Sequence, residues 1–534
     1  MKKFRLLAIV LVVVLALSLL TACKQPDNGG RPEGDYTYNT YLAVSPSNWN
    51  ELTYQDNNDT NIMSYISVQF FEFNFKFDED GAIIDGEFTV DYSGATALED
   101  ITSEYVGVYD HIGADDKGKV WKITLRDDLK WDDGTAISAA DYVYTMKQQL
   151  DPLFKNYRAD SFYVGATVLH NAKAYVYQGD TTTISIAEAM SIYGLDSVAA
   201  VIAEHGSETA YCNWSYSFGA FWNGTEWVDA QDEVLETAYT LEEFYTVYTG
   251  EIGQSAWGGS EEALISYFPD EVYINYTYPT VDFNDVGIFV GDTDYEIILV
   301  LDSPLYLLKE DGSLAYKAAY NMASLPLVKE DLYEACKIEP AIGSTLWTSN
   351  YNSSLETTAS SGPYKLTEFQ SGKSYTLERN EYWYGYNMEV FDGQYCTTKI
   401  SCETIDSWET AWLKFQAGEL DDIGIDVSIA TDYKGSEQAY FTPSSFIGSM
   451  QLQSSREALE GREEDGVNKT MLTYQDFRKA LSLGFDRSEY AKTCTTSSLP
   501  GFGIFNSMHY YDVANGKAYR NSDEAKQVLC DIYG

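Results

Sequence analysis

Trp121-Lys122-Ile123-Thr124-Leu125-Arg126-Asp127-Asp128-Leu129-Lys130-Trp131-Asp132-Asp133-Gly134-Thr135-Ala136-Ile137-Ser138-Ala139-Ala140-Asp141-Tyr142-Val143-Tyr144-Thr145 carries a strand, a turn and a helix start in one run. The segment from Val120 to Leu125 alternates apolar and polar residues, with β-branched and aromatic members, and predicts a strand. Trp131-Asp132-Asp133-Gly134 predicts a turn, and Gly134 permits a positive φ there. Ser138 has N-cap chemistry, and Asp141 falls three residues on, where a carboxylate answers orphan N–H groups. The helix that follows presents Tyr142, Val143 and Met146 to a core.

Working outward, Tyr36–Val44 reads as a strand ending at Ser-Pro, and Asn61–Phe71 as a helix. Helical patterns recur at Ile184–Ile192, Leu195–Ile202 and Glu233–Tyr248, and strand character at Val272–Tyr278 and Tyr295–Leu301. Three further blocks stand out. Ser361-Gly362-Pro363-Tyr364-Lys365-Leu366 begins an extended stretch. Gly372 turns it back towards Leu377-Glu378-Arg379-Asn380-Glu381-Tyr382-Trp383. The second block is Phe415-Gln416-Ala417-Gly418-Glu419-Leu420-Asp421. The third is Asp476-Phe477-Arg478-Lys479-Ala480-Leu481-Ser482-Leu483-Gly484-Phe485-Asp486-Arg487. Arg379 reads as a structural ion-pair partner and Trp383 as core or rim. Phosphate loops, HExxH and GxSxG elbows are absent from the sequence.

The formal charge is -47, from 82 acidic and 35 basic residues. That excludes a nucleic-acid partner, whose phosphates need cations. It also excludes a charge-based hold on anionic lipid. Apolar residues are 45% and aromatic residues 15%, ample for large cores. The chain is long enough for two or three domains. Seven cysteines occur without a CxxC, beside four histidines, so the metal signal is weak. Cys396 and Cys402 could close a small loop; simple thiols are the alternative. Adjacent carboxylates such as Glu403 and Asp406, or Asp421 and Asp422, arise in so acidic a chain without catalytic purpose.

Lys2, Lys3 and Arg5 precede an apolar run from Leu6 to Leu20, which closes on Leu20-Thr21-Ala22-Cys23. This resembles a bacterial lipoprotein signal, with a diacylglycerol thioether on Cys23; a plain secretory signal is the alternative. Residues 1–22 are then the signal peptide and 23–35 a polar tether.

The block at 121–145, followed in order by the other three, resembles the family 5 extracellular solute-binding proteins, which include oligopeptide- and dipeptide-binding lipoproteins of ABC importers. The resemblance covers Tyr36 to the C-terminus and is poor at 180–275. It rests on Trp121, Leu125, Arg126, Trp131, Gly134, Asp141, Gly362, Pro363, Tyr364, Arg379, Asn380, Trp383, Gly418, Glu419, Asp421 and Asp486 as structural positions. It implies an α/β, two-lobed fold of the periplasmic-binding-protein type (type II, cluster C), with an extra domain inserted in lobe I. Mapped here, lobe I holds 36–75 and 306–425, the extra domain 76–305 with an enlarged insertion, and lobe II 426–534. Members usually continue past the helix expected at Asp523–Gly534, so lobe II is expected to be incomplete.

The resemblance implies capture of an oligopeptide and delivery to ABC permease subunits, with the chain lipid-anchored on the outer face of the cytoplasmic membrane. It implies no catalytic residue, no cofactor and no metal. Relatives that bind oligosaccharides, opines or nickel keep a second ligand class open, and Trp214, Trp222, Trp227, Trp257 and Trp347 could stack on sugars. A surface peptide sensor or adhesin is a further alternative. Ligand-contacting residues are not identified.

Overall fold

A computed structural model of the chain describes residues 35–77, 83–212, 221–222, 227–228, 239–251, 253–254, 260–305, 319, 321–433, 435–440, 447–462, 470–495, 498–501, 511–512 and 517–518. The leader, Cys23, most of the tether, Trp214, Trp257 and the helix expected at 523–534 lie outside the described residues.

The described residues up to Met146, with those from Ile288 onward, form one compact unit, and Lys147–Gly287 forms a second. The bounds expected for the inserted domain, 76 and 305, are wider than this second unit.

In the first unit, a four-stranded sheet runs in the order Thr37–Leu42, Lys399–Thr404, Ser374–Arg379, Tyr364–Gln370. The first pair is parallel, Thr37 opposite Lys399 and Leu42 opposite Thr404; the other pairs are antiparallel. A parallel pair needs a long crossover, and here the intervening chain is most of the molecule. Strand 364–370 turns into 374–379 at Gly372, whose φ of +72° suits a residue without Cβ. Trp49, Ile62, Ile66, Leu377 and Ile400 close the core on this sheet. Ile62 and Ile66 come from the helix Thr60–Ile66, which ends five residues before the expected Phe71. The chain extends instead into the strand Phe71–Phe77, paired with Ile83–Tyr92.

A second antiparallel sheet of this unit runs Ile288–Val290, Glu296–Val300, Val120–Leu125, Ala95–Asp100. Strand 120–125 buries Val120, Trp121, Ile123 and Leu125. The turn and the helix Ala139–Gln149 follow directly.

The Lys147–Gly287 unit holds the antiparallel sheet Thr181–Ser185, Val272–Thr277, Ala210–Cys212. Helices Ile186–Tyr193, Val198–His205, Leu241–Thr249 and Glu261–Glu271 supply its core with Ile186, Val201, Phe244, Tyr248, Leu264 and Phe268. Each helix has a local start signal. The Ser185, Ser197, Thr240 and Ser260 side chains accept from backbone N–H groups three residues on, and Thr240 with Glu243 forms a capping box.

Candidate functional site

Most of the sequence-predicted residues gather at three places, and at each some of them fasten segments far apart in the chain. The first is the turn at 131–134. Gly134 takes φ +87°, and a Cβ on it would lie 3.0 Å from the Tyr382 ring. Trp131 is buried beneath, with its N–H donating to Thr135 O at 2.9 Å. Asp132 N–H donates to Ser360 O at 2.8 Å, and Ser360 N–H donates to Asp132 Oδ1 at 3.1 Å. Asp133 pairs with Lys329 at 2.7 Å. Burial works against the charged form of Asp133, but Lys329 and the Thr135 donors outweigh it and hold the carboxyl at about 2.

Nearby, Trp121 Nε1 donates to Gly118 O at 2.8 Å, and Leu125 is buried. Asp141 Oδ2 accepts from Ser138 N and Oγ at 2.8 and 2.9 Å, the returning half of a capping arrangement.

The second place is the bend at 360–364 with the segment 379–397. Ser361 and Gly362 N–H groups both donate to Ile66 O at 2.8 Å. A Cβ on Gly362 would meet Ile66 C at 2.7 Å, so the backbones touch only because it is glycine. The fully buried Asn380 donates from Nδ2 to Gly362 O at 2.9 Å and from its N–H to Pro363 O at 3.0 Å. Tyr364 OH donates to Thr397 O at 3.0 Å. Among the described residues Arg379 makes no ion pair, contrary to the sequence reading. Its guanidinium donates to the carbonyls of Thr397, Tyr395 and Cys396, and lies 5.5 Å from the Tyr386 ring centre. Three carbonyls on one fork explain why arginine suits the position. Cys396 and Cys402 are free thiols, so the small loop is not closed covalently.

Trp383 is 5% exposed and packs on Tyr386, Phe391 and Tyr395, with ring centres 4.9, 4.9 and 5.0 Å away. Arg126 forks both oxygens of Asp128 at 2.8 Å and sits 5.0 Å from the Tyr384 ring centre.

The third place lies at the strand 37–42. Gly418, φ +75°, ends the helix Trp408–Ala417 in the left-handed conformation. Glu419 reaches back to Lys414 at 3.2 Å. Asp421 Oδ2 accepts from Asn39 N and Nδ2 at 2.7 and 3.0 Å, and Asp421 N–H donates to Asn39 O at 2.8 Å. Asp486 stands apart from the three places; it caps the helix Arg487–Cys494, accepting from Glu489 N at 2.9 Å.

Sequence reasoning missed a cavity of about 40 Å³ at the second place. Glu72, Trp383, Tyr384, Phe391 and Tyr395 line it. Burial pushes the Glu72 carboxyl up, the nearby Ser93 hydroxyl, which itself donates to Gln69 O at 2.8 Å, works the other way, and Asp91 adds to the rise. A glutamate inside Phe70-Phe71-Glu72-Phe73 was the available signal, since an acidic residue in an apolar strand needs a reason. The cavity holds two or three water-sized groups. That is far below the several hundred Å³ of a drug-sized ligand site.

A mixed α/β chain whose diagnostic residues are fasteners is defined by its scaffold rather than by a reaction centre. The chain belongs to the bacterial extracellular solute-binding proteins, family 5; the family's middle region matches residues 110–227 and 272–531. Over 58 residues it is 34% identical to the periplasmic murein peptide-binding protein MppA of Escherichia coli K12, covering 11% of this chain. The match spans about a tenth of that curated relative's length, 10%. Among solved structures, it is similar to Listeria monocytogenes OppA bound to peptide, with 13% identity, 93% of this chain and 68% of that chain covered, and TM-score 0.46. A second is the substrate-binding domain of the Bacillus anthracis oligopeptide ABC transporter, with 13% identity, coverage of 94% and 68%, and TM-score 0.49.

Proposed function

We propose that this chain captures oligopeptides in a cleft between two lobes and hands them to the permease of an ABC importer. The observation that carries the reading is the family match, which spans most of the chain and takes in all four sequence blocks. In this reading 36–75 and 306–425 build lobe I, 76–305 the inserted domain, and 426–534 belongs to lobe II. Cys23 carries the lipid that holds the protein on the outer face of the cytoplasmic membrane. The role is binding, without turnover.

The chemistry asked of such a protein is modest. An extended peptide offers backbone donors and acceptors to a strand edge, whatever its side chains. Among the described residues strand 37–42 is the outer strand of its sheet, and Asp421 already takes the N–H and C=O of Asn39, so part of that edge is occupied by the chain itself. Ligand bound between lobes favours the closed form, which the permease recognises. An oligosaccharide ligand is the second reading. Half-exposed Trp408 and Trp412 favour it, stacked at 5.6 Å with 11° between planes.

Thermal-shift titration with tri- to pentapeptides, oligosaccharides and nickel separates the readings. Stabilisation by peptides of varied sequence is expected; a response to sugars or nickel alone would replace the peptide reading. Cys23→Ser in a lipoprotein-processing host is expected to abolish lipid labelling, and unchanged labelling removes the anchor.

A further inference from the structure

We infer that Trp408 and Trp412 form the seat of a hinge: Trp408 pins the chain at Gly424, Trp412 holds Tyr433 in the helix that follows, and the chain turns between them at Ile425. This rests on the two-lobe reading and names the pivot that such a reading requires.

The chain is fastened step by step up to Gly424. Asp421 is tied to Asn39 through backbone and side chain. Ile423 packs with Ile405, Ala411 and Leu420. Trp408 Nε1 donates to Gly424 O at 2.8 Å. The fastening then stops. Among the described residues no hydrogen bond holds Ile425, and a Cβ on Gly424 would meet nothing within 4 Å. At Asp426 a new element begins. Its Oδ1 accepts from Ser428 N at 2.8 Å and its carbonyl from Ile429 N at 3.1 Å, starting the helix Val427–Tyr433. A free residue between two held ones is where a chain absorbs a change of φ and ψ.

The contact at Tyr433 makes the hinge two-state. Tyr433 lies edge-on to Trp412, with ring centres 5.4 Å apart and planes at 73°. Trp412 is backed by Trp408 and Phe415, stacked at 5.6 and 5.7 Å, so the seat does not follow Tyr433. Val427 and Tyr433 are exposed while Ala430 is buried, so only part of this helix resists a swing. At 1.5 Å per residue the helix is about 10 Å long, and a turn of about 20° at Ile425 carries its far end roughly 3–4 Å. That parts two rings whose pairing reaches only to about 7 Å. Gly424, at the pivot, stays on Trp408.

The test uses the full chain with nitrogen-15 tryptophan, reading indole N–H signals by NMR, and backbone hydrogen exchange by mass spectrometry. Trp408→Phe and Trp412→Phe assign the two signals. Tyr433→Ala should shift the Trp412 signal and speed exchange in 427–433 about two- to tenfold, the worth of one aromatic pair. Exchange in 418–424 should be unchanged and the Trp408 N–H still protected. Equal acceleration in 418–424, or none in either segment, overturns the pivot. Trp408→Phe removes the pin and should carry the faster exchange back into 418–424; an unchanged 418–424 overturns the pin. A saturating oligopeptide should then shift the Trp412 signal and leave the Trp408 N–H protected. Saturable binding by calorimetry that moves neither signal, or that releases the Trp408 N–H, overturns the hinge and leaves peptide capture standing. The expected exchange pattern without saturable binding removes capture and leaves the pivot.

Discussion

The first unit and the Lys147–Gly287 unit reach closed cores by different means. In the first, the decisive contacts are long-range. Ile66 O accepts from Ser361 and Gly362, Asp132 exchanges hydrogen bonds with Ser360, and Asp421 holds Asn39 across 382 positions of sequence. In the second, each core helix starts on its own serine or threonine cap and delivers apolar residues to one sheet. Long-range fastening demands particular residues at particular places, because a glycine or an asparagine amide must meet one partner. Local capping accepts several residue types. Hence the four family blocks lie in the first unit; the family match breaks off only at 228–271, within the second unit, so the poor resemblance expected over 180–275 is narrower than the sequence suggested.

The comparison breaks if fastening residues are replaceable. Gly362→Val puts side-chain atoms where Ile66 and Tyr65 have backbone, at 2.7 Å. Neither backbone can yield without opening the bend at 360–364. The expected loss exceeds about 5 kcal/mol, the range of strain that does not relax, and should appear as loss of a cooperative melt from the first unit. Gly179→Ala in the second unit is the control. Gly179 has φ +81° with nothing within 4 Å of the added Cβ, so only the left-handed backbone cost of about 1 kcal/mol applies. Equal melting temperatures for the two variants would refute the distinction.

Phe268→Ala sharpens the other side. Phe268 is fully buried and packs on Tyr245 and Tyr248, with ring centres 4.9 and 5.4 Å away. Truncation should cost about 3–5 kcal/mol. Hydrogen exchange should show protection lost in 181–212 and 241–277 and kept in 364–379. Loss spread evenly over both would mean that the units do not hold their cores separately.

Much of the local structure was legible, and the reasons are specific. Strand 120–125, the turn with Gly134, the helix after Ser138 and the hairpin at Gly372 carry their signals within a few residues. Helices at 186–193 and 198–205 sit close to their apolar patterns. The helix 261–271 was missed because Pro269 lies inside it, near its end, where proline usually argues against a helix. Arg379 was misread because an arginine beside Glu378 and Glu381 suggests an ion pair. Nothing local reveals that Tyr395, Cys396 and Thr397 turn their carbonyls towards it. The Glu72 cavity was invisible for the same reason, since its walls come from segments some 300 residues apart.

A smaller effect comes from the ion pair at the 131–134 turn. Asp133 sits at about 2, below the ordinary carboxylate value of about 3.9. A carboxyl depressed on folding stabilises above its unfolded value, and that contribution is lost as pH falls from about 4 through about 2. The Asp133 side chain is 48% exposed, so solvent screening limits the contribution to under about 1 kcal/mol. Lys329→Met should lower the urea midpoint at pH 6 and have almost no effect at pH 2. An identical difference at both values would show that Lys329 acts through packing alone.

The smallest effect expected is at Asp486, and it tests whether every residue of the family blocks fastens distant segments. Asp486 does not: its carboxylate accepts from Glu489 N, three residues on, at 2.9 Å. The helix it starts, Arg487–Cys494, buries only Ala491, and the preceding helix Gln475–Gly484 buries none of its residues. In an isolated helix the loss of such a cap costs about 1 kcal/mol. Here little of the core depends on the helix, so the global melting temperature of Asp486→Ala should move by less than the error of the measurement. The cost should appear instead as faster hydrogen exchange confined to 487–494. Asp421→Ala is the partner experiment, since Asp421 joins strand 37–42 to the crossover, and it should speed exchange at Asn39 as well as at its own segment. If Asp486→Ala lowers the global melt as much as Asp421→Ala does, local capping and long-range fastening are not separable here, and the contrast between the two units loses its physical basis.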